Sequence, residues 1–70
     1  MEKIDISTDF IKLDSLLKLA GAVGSGGEGK AAIAEGLVRV NGEICTMRGK
    51  KLRPGDMVSF GGREYEIGKA

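Results

Sequence analysis

Two groups of residues in this 70-residue chain have the types and spacing to hold phosphate. Gly24-Ser25-Gly26-Gly27-Glu28-Gly29-Lys30 fits the pattern G-x-x-x-x-G-K, in which a glycine-rich loop cradles a nucleotide's phosphates and the lysine reaches them. Arg48-Gly49-Lys50-Lys51-Leu52-Arg53 sets four cations within six residues. Such cations repel one another unless water or anions neutralise them, and Gly49 lets the backbone approach a ligand closely. From Lys30 to Arg53 there are six basic residues against Glu35 and Glu43, a balance of +4, while the rest of the chain carries five basic and eight acidic residues, a balance of −3. A chain of net charge +1 with one basic block points to a localised polyanion-binding face. The alternative is an ordinary solvated loop.

Other chemistries lack their residues. Histidine is absent and Cys45 is the single cysteine, so neither an intrachain disulfide nor a cysteine–histidine metal cluster is available. Without a histidine base, Cys45 reads as a small buried residue rather than a nucleophile, and a lone thiol suits a reducing compartment. Asp14 and Asp56 fall where a helix and a turn use them, and no carboxylate pair stands out as a dyad. The expectation is no enzyme and no cofactor. A nucleotide-hydrolysing loop also needs a strand before it, Ser or Thr after the lysine, and a parallel sheet. Here the preceding segment is helical and Ala31 follows Lys30. Simple anion docking remains open: Gly26 and Gly27 leave N–H groups uncovered at a helix start, with Lys30 one turn inside. A plain inter-helix turn is the competing reading.

The elements that must position these groups are short. Glu2-Lys3-Ile4-Asp5-Ile6 alternates weakly, as a strand does. Phe10, Leu13, Leu17 and Ala20 recur at helical spacing, Leu16 and Leu19 widen the stripe, and Gly21 suits the left-handed C-terminal position. Ser25 and Glu28 form the S-x-x-E capping box of a second helix, which ends at Gly36. The period then becomes two. Asn41-Gly42 and Gly61-Gly62 mark hairpins, and Pro54-Gly55 a tight turn. The order predicted is β-α-α-β-β-β-β, an α+β fold with two helices packed on a small, mostly antiparallel sheet. Seventy residues form one domain, 1–70, whose core buries about 60% of the unfolded surface, which favours a binding surface over a deep catalytic cavity. No apolar run approaches the roughly 20 residues of a membrane span, and the acidic, mixed start is unlike a signal peptide, so a soluble cytoplasmic protein is expected.

Aromatic residues are few. Phe10, Phe60 and Tyr65 each fit a core position, which disfavours stacking of single-stranded bases and suits recognition of folded RNA by shape and backbone, with DNA left open.

Three segments resemble a known family: Lys12-Leu13-Asp14-x-x-Leu17-x-x-x-Gly21-x-x-x-Ser25, then Ile33-x-x-Gly36-x-Val38-x-Val40-Asn41-Gly42, then Leu52-x-x-Gly55-Asp56-x-Val58. In unbroken register over about residues 10–60, they resemble the S4 RNA-binding domain, most of all its short stand-alone bacterial forms. The resemblance implies an αL motif presenting one basic face to structured RNA. Lys12 stands where the family usually has arginine, and Gly26 where an RNA-contacting arginine often follows the serine; Asn41-Gly42 carries over as fold rather than contact.

The leading expectation is a non-catalytic, monomeric RNA-binding module, with ribosomal or tRNA-like RNA as partner. Its site residues are Lys12, Lys30, Arg48, Lys50, Lys51 and Arg53, with Ser25, Gly26 and Gly27 offering backbone or hydroxyl contacts. The alternatives are an adaptor whose basic face meets an acidic protein, and a nucleotide-binding regulator using Gly24–Lys30.

Overall fold

The computed structural model describes residues 1–70. Its elements are β1 (Glu2–Ile6), β2 (Ile11–Lys12), α1 (Leu13–Leu19), α2 (Gly26–Ala34), β3 (Val38–Val40), β4 (Glu43–Ile44), β5 (Lys51–Leu52), β6 (Met57–Phe60) and β7 (Arg63–Lys69). Five strands form one sheet in the order β1-β7-β6-β3-β4, parallel only between β1 and β7, and β2 pairs with β5 in a separate two-stranded ladder.

The turns follow from their residues. Asn41 and Gly42 have φ of 52° and 86°, and Gly61 and Gly62 have 60° and 79°. Positive φ at both central positions twists a two-residue loop the way the flanking strands twist. Both helices end in the double backbone bond of a Schellman motif: Ala22 and Gly21 N–H reach the Leu17 and Lys18 carbonyls, and Leu37 and Gly36 reach Ala32 and Ile33.

Alternation along the strands sends Ile6, Val38, Val40, Val58 and Ile67 to one face of the sheet. Leu13, Leu16 and Leu17 of α1 and Ala32 and Ile33 of α2 close over that face, joined by Leu52. Gly29 is buried at the helix crossing, where an added Cβ would stand 3.6 Å from both the Asp14 carbonyl oxygen and Val23 Cγ2. The space there takes a methyl group at ordinary contact distance and nothing larger without parting the first turn of α2 from the start of α1.

Three expectations are corrected. The first helix starts at Leu13, because Ile11-Lys12 is extended and pairs with Lys51-Leu52, which adds two strands, β2 and β5, to the predicted order. Leu19 is 60% exposed and widens no buried stripe. Cys45 is half-buried rather than buried, since the chain leaves the sheet after Ile44.

Candidate nucleic-acid interface

The ladder of β2 and β5 organises the basic residues. Its register pairs Ile11 with Leu52 and Lys12 with Lys51. Leu52 is fully buried and Ile11 packs on the core, so period-two alternation puts Lys12 and Lys51 together on the outward side. Directly opposed residues have Cβ atoms about 4.5–5.5 Å apart, and like charges so placed destabilise a strand pair. Phe10 lies two residues before Lys12 on that same side. The Lys51 Nζ stands 4.9 Å from the Phe10 ring centroid and the Arg53 Cζ 6.0 Å. Phe10 therefore serves as a half-buried platform for two cations, a role that its helical spacing with Leu13 concealed.

The loop before β5 is docked on the first turn of α1. Leu13 N–H donates to the Lys50 carbonyl at 2.9 Å, and Asp14 N–H to the Arg48 carbonyl at 3.1 Å. The Ser15 N–H donates to the Asp14 carboxylate at 2.8 Å. These bonds take up the N–H groups a helix leaves free at its start, a role that Lys12 at the N-cap position cannot fill because its ammonium only donates. Lys12, Arg48, Lys50, Lys51 and Arg53 are thus gathered around one end of α1, all exposed.

The start of α2 adjoins the same place. Ser25 Oγ accepts from Glu28 N–H at 3.3 Å, forming one arm of the capping box. The Glu28 carboxylate lies against Gly24, where an added Cβ would sit 2.9 Å from Oε1. Gly26 is half-buried, Gly27 exposed, and Lys30 on the exposed side of the helix. Asp14 connects the two regions: its N–H meets the Arg48 carbonyl, and its own carbonyl faces the Gly29 turn. The segment Gly24–Lys30 follows a helix rather than a strand, and Ser25 is occupied as a cap; the arrangement lacks the parts of a nucleotide loop.

The one ion pair of the chain joins Arg63 to Glu2, on β7 and β1. Lys12, Lys30, Arg48, Lys50, Lys51 and Arg53 pair with no carboxylate. The carboxylate nearest in sequence to Arg53, that of Asp56, accepts instead from Arg53 N–H at 2.8 Å and from Asn41 Nδ2 at 3.2 Å. Asn41 Oδ1 in turn accepts from Met57 N–H at 3.0 Å. This clamp ties the Asn41-Gly42 turn to the turn that leads Arg53 out of the ladder. Each turn is visible in the sequence, but nothing in their spacing says that they meet. The helix-free side of the sheet carries Asp5, Glu64 and Glu66 with Lys3 and Arg39, so the charge is asymmetric.

Comparison with known proteins agrees with this geometry. The S4 domain model matches residues 4–68. YbcJ of Escherichia coli, named for RNA binding, is 42% identical over 57 residues, 81% of each chain. RlbA of Bacillus subtilis, named for ribosome maturation, is 44% identical over 59 residues, 84% of this chain and 83% of that one. The solution structure of E. coli YbcJ, reported to reveal an αL motif involved in RNA binding, superposes with a TM-score of 0.75 at 36% identity, covering 97% of this chain and 87% of the other. The chain belongs to the S4 domain family.

Proposed function

We propose that residues 1–70 act as one non-catalytic domain that binds structured RNA, ribosomal RNA foremost, as a cytoplasmic monomer. The carrying observation is the unpaired cation cluster: Lys12 opposite Lys51, Arg53 beside Lys51 on Phe10, and Arg48 and Lys50 anchored to the start of α1. A fold gains nothing from like charges set side by side; a phosphate backbone supplies the missing counter-charge. The names of YbcJ and RlbA support RNA, and the latter a ribosomal one. Ser25, Gly26, Gly27 and Lys30 extend the surface toward a second stretch of backbone. Such contacts position an RNA by its shape and phosphates more than by its sequence.

The test is the Lys50→Gln/Lys51→Gln double variant, with binding to an rRNA hairpin measured from 50 to 200 mM salt. About four phosphate contacts give a log–log slope near −3, and each lysine removed flattens it by about one. Unchanged affinity and slope in the double variant would sink the assigned surface. An acidic protein partner on this face would instead give a complex that survives nuclease treatment.

A further inference from the structure

Beside the basic cluster lies a groove of about 410 Å³, between β4 and the loop leading to Lys50. It is formed before any ligand arrives. Cys45 N–H donates to the Val38 carbonyl at 3.0 Å, and Lys50 N–H to the Met47 carbonyl at 3.1 Å, which fixes both of its walls. Ile44 and Met47 are 56% and 66% exposed, two of the five large hydrophobic side chains that the fold leaves outside. Ile44, opposite Arg39 in the register, lies on the helix-free side of β4, so Met47 and the half-buried Cys45 give the groove beside Glu43 an apolar, polarisable contact of the kind that suits an aromatic face.

The polar groups of the groove are of two kinds. The Glu43 carboxylate only accepts, while the Thr46 and Met47 N–H groups donate to no backbone carbonyl. Asn41, also at the groove, is committed to Asp56 and Met57. Lys50 lines the groove and belongs to the cation cluster, so the groove continues the proposed RNA surface.

We infer that this groove takes one unstacked guanine of the bound RNA, with its phosphate on Lys50; the inference rests on the RNA-binding reading. A bare phosphate has no use for Glu43 or for exposed Met47, and Glu43 repels an acidic peptide. Guanine matches the set: N1–H and the N2 amino group stand side by side for a carboxylate, O6 accepts from an N–H, and the ring covers the apolar wall. Uracil offers a single N–H, and adenine and cytosine only their exocyclic amino group. The volume lies at the lower end of small-molecule sites, about 300–1,000 Å³, which accommodates one nucleotide.

The experiment is an amide-shift titration of the full chain with GMP, AMP, CMP, UMP and inorganic phosphate, for the native chain and Glu43→Gln. GMP is expected to move Ile44–Met47 and Lys50, whereas phosphate moves only Lys50 and its basic neighbours. Glu43→Gln, an exposed change, is expected to weaken GMP about fivefold or more, while leaving phosphate shifts and the salt slope of hairpin binding unchanged. If GMP gives the same shifts as phosphate, or all four nucleotides bind alike, the guanine site is wrong though the RNA surface stands. If the native chain binds no RNA hairpin and phosphate moves nothing near Lys50, the RNA-binding reading itself has failed.

Discussion

Lys12→Gln should make the protein more stable and a poorer RNA binder. In the free protein Lys12 faces two unfavourable fields. It opposes Lys51 across the ladder, a like-charge pair worth about 0.2–1 kcal/mol. It also stands at the N-cap of α1, the positive end of the helix, which costs a cation about 0.3–1 kcal/mol at an exposed site. Lys12 makes no cap bond and no ion pair that would offset these terms, and only the Lys50 and Arg48 carbonyls on the first N–H groups soften the field of the helix end. Exposure favours the lower part of each range, so the gain is about 0.5 kcal/mol, or roughly 2–4 °C in Tm for a domain this size. Urea unfolding followed by far-UV circular dichroism reads the change as a midpoint shift at constant slope. The gain should vanish in 1 M salt, where charges are screened within about 3 Å. Over the same salt series used for the native chain, RNA binding should weaken and its slope flatten by about one. A variant equally stable at low salt, or one that binds RNA with an unchanged slope, would refute the claim that Lys12 is kept for phosphate at a cost to the fold.

Other perturbations test the scaffold. Asn41→Ala removes the bonds to Asp56 and Met57 and places alanine at φ 52°, so a loss of about 2–3 kcal/mol is expected in urea unfolding, with weaker RNA binding because the Arg53 turn is released. Gly29→Ala has room at 3.6 Å and should stabilise α2 by about 0.5–1 kcal/mol, seen as a higher Tm; a bulkier Gly29→Leu should separate the helices and lower it. Phe10→Ala removes the ring beneath Lys51 and Arg53, and should reduce RNA affinity by a few-fold without flattening the salt slope, since both charges remain.

Features set by a few neighbouring residues were legible in the sequence. The Ser25 cap, the helix ends at Gly21 and Gly36, and the Asn41-Gly42 and Gly61-Gly62 hairpins each depend on local backbone chemistry. The short β2 strand was not, because Phe10 continues the spacing of Leu13 and Leu17. Only the distant Lys51-Leu52 segment, by pairing with Ile11-Lys12, decides against a helical turn there. The basic residues were visible as a run of charge, but their convergence on the start of α1 depends on the Leu13–Lys50 and Asp14–Arg48 backbone bonds, which carry no side-chain signature. For the same reason, the Asn41–Asp56 clamp and the groove behind Glu43 emerged only from the folded chain.

The central claim is that RNA meets the face built from the β2–β5 ladder, the loop before it and the start of α2. Amide shifts on adding an rRNA hairpin at low salt test it most directly. Shifts are expected at Lys12, Ser25–Gly27, Lys30 and Arg48–Arg53, collapsing as salt rises to 200 mM. Shifts centred on Lys3, Asp5, Arg39, Glu64 and Glu66, on the helix-free side of the sheet, would contradict it.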